Sequence, residues 1–359
     1  MLELHSPEGA FEQIEAYLRE RGFFAPGGVE LEAELYLGYG LSEPLRRTNA
    51  TAPPEPCPLP LAAVAVRDTS EGLSLGHVSV GQWERTWTEA DYGEAVEAVR
   101  EAIGRGDVYQ VNLVQHLAAP FDGSASALAD RLGAFGARTL AGDGWAAVSA
   151  SPELFLARRG RRVWTAPIKG TRPLGEHVEG EKDAAEHVMI VDLERNDLSR
   201  VCEPGSVRWP ELMVERELAG VTHLVSTVEG TLREEVGLAE LLAATFPGGS
   251  VTGAPKIAAL DLIAALEPVG RGASMGALGV VRGNGDLDLA LTIRTFAVAE
   301  DRIHLWVGGG IVWDSEPEAE TTAQPSPASV RGRNAAIRSA SALGSPSNSA
   351  LRCWTRFTW

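Results

Sequence analysis

Apolar residues recur along this chain with two periods, and the switches between them mark out its elements. In TEADYGEAVEAVREAIGRGD, Tyr92, Val96, Val99 and Ile103 fall on one face of a helix that Gly104 and Gly106 end. The following VYQVNLVQHL changes to a period of two: Tyr109, Val111 and Leu113 alternate with Gln110 and Asn112, as in a strand with one polar face. A helix is also predicted over 6–21, with Ser6 as N-cap, Pro7 in its first turn and Gly22 as its stop. The proline-rich stretch 52–61 predicts a loop. LFLARRGRRVWTAPIKG reads as two strands folded about Gly160. Glu153 lies seven residues before that turn and Pro167 seven after it, so Glu153 comes within a residue or two of facing Lys169.

A long helix is predicted from about 180 to 198, where Asp183 and Glu186, three apart, project from the same face. Further on, DLDLALTIRTFAV alternates again. Leu287, Leu289, Leu291 and Ile293 face one way, and Asp288, Thr292 and Arg294 the other. Between these, GGSVTGAPK lacks the Gly-Lys-Ser/Thr ending of a phosphate loop and reads as a tight turn with Thr252 capping a helix that begins near Pro255. Helical patterns interleave with hairpin-like strands without βαβ spacing or repeats. The fold class is therefore α+β, with mainly antiparallel sheets, and no linker divides residues 1–320.

Composition narrows the function. The 359 residues are 44% hydrophobic and 23% charged, which excludes a disordered chain. A formal net charge of −17 disfavours nucleic acid and membrane surfaces as partners, since their phosphates would repel it. Cys57, Cys202 and Cys353 form no CxxC pair, so neither a disulfide framework nor a zinc site is indicated. The N-terminus lacks a basic region followed by an apolar run, and the expected location is the cytoplasm. Only three of the 32 basic residues are lysines, Lys169, Lys182 and Lys256. A desolvated lysine amine can lose its proton and act as a nucleophile, which an arginine cannot do.

All 49 acids precede residue 321, and the segment 321–359 holds no Asp, Glu or Lys but five Arg and seven Ser. Either a disordered low-complexity tail or a frameshifted reading of the gene would give such a break.

The blocks DVYQVNL, SASPELF, PIKGTRP, EHVMIVDLERNDLSRV, HLVSTVEG, FPGGSVTGAPK, TIRTFAV and GGGIVWDSEPEAE come in the order found in the chorismate-utilising enzymes, over about residues 85–320. The chain resembles that family, which includes anthranilate, aminodeoxychorismate, isochorismate and salicylate synthases. The resemblance implies a single large sandwich of antiparallel sheets flanked by helices. The PIKGT form is similar to aminodeoxychorismate synthase component I, whereas anthranilate synthases generally carry alanine at the Lys169 position.

On that resemblance Lys169 is the nucleophile toward chorismate, and Glu153 is the general acid for the departing hydroxyl, worth roughly 10² to 10⁴ in rate. Arg294 binds a substrate carboxylate, His223 lies beside the ring, and Gly170, Thr171, Gly308 and Gly310 bring backbone close to substrate. Gln110 stands where water-using relatives have a lysine. Magnesium is the implied metal, on Asp183, Glu186 and Glu320. The last acidic pair is broken, because Ala323 stands at its second position and Pro327 at that of an expected lysine. The resemblance further implies a glutamine amidotransferase subunit that supplies ammonia. An anthranilate synthase, or an inactive copy with a damaged metal site, are the alternatives.

Overall fold

A computed structural model describes residues 1–25, 30–48, 50–67, 76–133, 136–175, 181–218 and 221–323. Their strands form two sheets. The first runs β1 (Leu2–Leu4), β3 (Ala62–Val66), β2 (Glu32–Leu37), β15 (Ala277–Arg282), β16 (Leu287–Leu291), β9 (Leu154–Arg159), β10 (Arg162–Ala166), β13 (Val221–Thr231) and β11 (Ile168–Pro173), with β12 (Arg208–Leu218) also on β13. The second runs β14 (Gly253–Ala254), β6 (Gln110–Gly123), β18 (Arg302–Ile311), β17 (Thr295–Ala299), β8 (Trp145–Ser149) and β7 (Arg138–Gly142), with β4 (Val78–Val80) and β5 (Glu84–Arg85) on β6. Pairing between these strands is antiparallel.

One buried apolar cluster draws on both sheets, with Leu35, Leu156 and Leu289 from the first and Val111, Leu113 and Trp306 from the second. Burying that shared surface holds the two layers together. A second cluster around Leu117, Val148 and Phe296 is covered by α3 (Ala125–Leu132). The α+β antiparallel architecture read from the sequence is the one observed.

Local signals explain the helix ends, with some corrections. α2 (Glu89–Arg105) starts at a capping box in which Thr88 and Asp91 bond each other's backbone, and it buries Tyr92, Val96 and Val99. Gly104 lies inside this helix, so Gly106 alone, at φ +80°, ends it. α1 (Ala10–Glu20) begins later than predicted: Gly9 occupies the N-cap in a left-handed conformation, and the Ser6 hydroxyl bonds Glu8 instead. α5 (Leu238–Thr245) and α6 (Lys256–Leu266) follow β13, but Thr252 caps neither. Its hydroxyl donates to the Gly248 carbonyl at 2.9 Å and tightens the turn Gly249–Val251.

Two strand readings also change. Tyr109 lies outside β6 and is 67% exposed, while Gln110 and Asn112 are each only 1% exposed, so the polar face of this strand is interior. The alternation in DLDLALTIRTFAV stops at Leu291. Residues 292–294 carry the chain from β16 in the first sheet to β17 in the second. Ile293 stays buried because the crossing itself runs through the interior, and this made the segment look like one strand. α4 (Glu181–Ser199) forms as predicted. After β18, α7 (Pro317–Ala323) continues past Glu320; residues 324–359, and with them most of the atypical tail, lie outside the described residues.

Candidate active site

The β9–β10 hairpin sets the geometry. Arg159 pairs with Arg162, and after a bulge Leu154 pairs with Ala166, which carries Glu153 to Pro167 as the counting from Gly160 predicted. Proline has no N–H to continue the ladder, and the chain steps sideways there into β11. Both β10 and β11 pair with β13, through Thr165 to Val228 and Ile168 to Val225. The step places Lys169 beside Glu153. A bulge follows at once between Lys169 and Thr171, with Gly170 at φ +57°, a conformation only glycine takes without strain.

Glu153 and Lys169 are 4% and 6% exposed. The Ile168 N–H donates to Glu153 Oε1 at 3.3 Å, and Lys169 Nζ donates to the Ser250 carbonyl at 3.4 Å. The Ser250 hydroxyl also bonds the Glu153 carboxyl, so one residue of the Gly249–Val251 turn touches both groups. Burial pushes the Glu153 carboxyl above its usual range, against the opposing pull of Lys169, the Ser250 and Ile168 bonds, and Arg294.

Arg294 sits on the crossing between the sheets at φ +50°, uncommon for a residue with a side chain, and its carbonyl accepts from Ala150 N at 3.2 Å. Burial pushes its guanidinium down to about 10, with Glu153 acting the other way. The buried His223 ring bonds the backbone of Gly170, and burial and the Arg294 charge lower it to about 4. It is therefore neutral at pH 7. Glu153, Lys169, Gly170, His223 and Arg294 thus converge. The Thr171 side chain lies outside the described residues.

The remaining predicted residues are placed less directly. A Cβ on Gly308 would lie 1.9 Å from the Leu113 carbonyl, and one on Gly310 would lie 1.9 Å from Gln110 Nε2. The backbone packing of β18 on β6 therefore requires glycine at 308, whereas at 310 a side chain would have to displace the Gln110 amide. Glu320 accepts from Ser315 Oγ at 2.8 Å, on the side of α7 next to Gly309. Glu186 is half-buried on α4, and the side chain of Asp183 lies outside the described residues. Among the described residues no group of three or more His, Cys, Asp or Glu is arranged to hold a metal ion. Glu186 and Glu320 do offer the hard oxygen donors that magnesium takes, although Ala323 removes one carboxylate from the expected set.

Three further residues were not found from sequence. Ser250 was hidden as a small residue in a glycine-rich turn. His187 on α4 is fully buried, and neither ring nitrogen has a hydrogen-bond partner among the described residues. Burial and the Lys169 charge lower it to about 4. Asn112 pairs across the sheet with Gly310, and its side-chain amide has no partner among the described residues either. A buried polar group left unbonded costs about 1–3 kcal/mol, and His187, which feels the Lys169 charge, is one that a polar ligand would satisfy.

The chorismate binding enzyme family matches residues 50–322. The chain belongs to this family. Anthranilate synthase component 1 of Streptomyces coelicolor is 40% identical to this chain over 275 residues, covering 72% of the chain and 54% of the relative. Aminodeoxychorismate synthase component 1 of Salmonella typhimurium is also 40% identical, over 254 residues, covering 66% and 56%. The chain thus spans just over half the length of the curated relatives it matches. The crystal structure of anthranilate synthase component I from Streptococcus pneumoniae superposes with a TM-score of 0.71 at 27% identity, over 81% of this chain and 78% of that one. No described helix is long and apolar enough to cross a membrane.

Proposed function

We propose that this chain is the chorismate-aminating component of an aminodeoxychorismate synthase, converting chorismate and ammonia to 4-amino-4-deoxychorismate for p-aminobenzoate and folate synthesis. The observation that carries this reading is a lysine, Lys169, buried against the carboxyl of Glu153 and bridged to it by Ser250. Amination needs a protonated Glu153, and burial raises its carboxyl toward that form. The neutral Lys169 amine attacks C2 of chorismate, the ring double bond shifts, and the C4–O bond breaks as Glu153 protonates the leaving hydroxyl to water. Ammonia then attacks C4, the double bond returns, and the C2–N bond to Lys169 breaks. Two allylic displacements replace one hard substitution.

Arg294 suits a substrate carboxylate through its two-pronged guanidinium, and the neutral His223 suits a place beside the ring without adding charge. Magnesium would be held by Asp183, Glu186 and Glu320 and, when bound, would neutralise substrate carboxylate charge. Ammonia would come from a glutamine amidotransferase partner, as the "component 1" in the relatives' names suggests.

The relatives divide at equal identity between aminodeoxychorismate and anthranilate synthases, so the second reading is anthranilate synthesis. Incubation with chorismate, Mg²⁺ and ammonium chloride, followed by mass spectrometry, separates them. Aminodeoxychorismate is expected, with a covalent Lys169 adduct that Lys169→Ala abolishes. Fluorescent anthranilate as the product, an adduct surviving in Lys169→Ala, or no turnover at all would each overturn the proposal.

A further inference from the structure

Glu194 lies on α4 in the segment EHVMIVDLERND, two turns beyond His187, on the buried stripe that also holds Ile190, Val191 and Asp197. It is 7% exposed, and nothing in the chemistry above uses it. Its stem lies against the turn that carries Ser250, since a Cβ on Gly249 would be 3.6 Å from Glu194 Cγ. Its carboxyl meets β10: Thr165 Oγ1 is 2.8 Å from Glu194 Oε2 and 3.4 Å from the carbonyl of Leu154, the residue after Glu153.

A threonine hydroxyl has one proton and two acceptors here. An ionised Glu194 would take that proton and leave Leu154 without it. A protonated Glu194 instead donates to Thr165, which frees the threonine proton for Leu154, and both contacts are made. The charged groups facing Glu194 are Glu153, Asp197 and Lys256. Lys256 is fully engaged elsewhere, with Asp197 at 2.5 Å, the Pro247 carbonyl at 2.7 Å and the Thr245 carbonyl at 3.3 Å. The nearby cation is thus already paired with a different carboxylate.

We infer that Glu194 is a positioning residue for Glu153: protonated, it ties the strand carrying the general acid through Thr165 and Leu154, and ionised, it places an anion behind the site that opposes a dianionic substrate. Consistently, burial pushes Glu194 up to about 8, helped by Glu153 and Asp197 against Thr165 and Lys256. The inference rests on the proposed chorismate chemistry only for its substrate charge.

The test is the ratio of kcat/KM for Glu194→Gln to that of the wild type, with chorismate, Mg²⁺ and ammonium chloride, from pH 6.5 to 9. Taking the ratio cancels the titration of ammonium and of groups common to both proteins. With half-ionisation near pH 8, the ratio should climb about tenfold by pH 9. A second measurement needs no activity. A carboxyl raised in the folded state gives stability that is complete below its ordinary range near 4.5 and lost as pH rises to about 8. The melting temperature of Glu194→Gln should therefore gain on the wild type between pH 5 and 8 and then level off, and Glu194→Met, uncharged and similar in volume, should do the same. A flat ratio or a flat melting difference overturns the inference. Anthranilate as product, with the climbing ratio intact, overturns the proposed function and leaves this inference standing.

Discussion

Two buried pairings of a carboxyl with a basic side chain flank the Gly249–Val251 turn, Glu267 with Arg271 as an ion pair and Glu153 with Lys169 as neighbours, and they are built to opposite ends. In the pair Glu267–Arg271, Arg271 Nε and Nη2 reach both Glu267 oxygens at 2.8 and 2.7 Å, Nη1 donates to the Val251 carbonyl at 2.8 Å and Nη2 to Asn112 at 2.6 Å. Val114 N–H also donates to Glu267 at 3.0 Å. This pair is saturated, and it pins the turn to β6. In Glu153–Lys169 the bonds run to neighbours, Glu153 accepting from Ile168 N–H at 3.3 Å and from the Ser250 hydroxyl, Lys169 donating to the Ser250 carbonyl at 3.4 Å, and burial raises the Glu153 carboxyl toward its neutral form. A saturated pair resists change. An under-bonded pair still has a proton to exchange and a lone pair to offer.

The contrast can be broken by exchanging what is lost. Arg271→Ala strands a carboxylate in the core and should cost about 3–5 kcal/mol of unfolding free energy in a denaturant titration. Lys169→Ala, by contrast, should leave stability within about 1 kcal/mol, because Glu153 can simply keep a proton. Equal losses from both would erase the distinction. Glu153→Gln should keep the fold and lower kcat by roughly 10² to 10⁴, since an amide cannot protonate a leaving hydroxyl. A smaller fall would mean that another acid serves. Ser250→Ala, the mildest change, removes the hydroxyl from Glu153 but keeps the carbonyl for Lys169. A loss of about 1 kcal/mol, near fivefold in kcat/KM, is expected from steady-state rates.

The sequence carried much of the site where geometry is local. A tight turn at Gly160 sets the hairpin register to within the one residue shifted by the bulge between Trp164 and Ala166, so the neighbourhood of Glu153 could be counted off from it. It carried less where an ordinary pattern had a second cause. The crossing from β16 to β17 kept an apolar beat through Ile293, and Arg294 therefore read as the polar face of a strand when it sits at a left-handed corner. Glu194 was not singled out from sequence, because periodicity says which face a residue takes but not that a strand and a turn will close over it.

The left-handed corner at Arg294 has a consequence for assembly. The guanidinium proposed to grip the substrate is borne by the short link joining the two layers, so its position depends on both layers at once. Neither sheet alone can set the grip, and recognition of an anion here reports that the whole sandwich has closed in register.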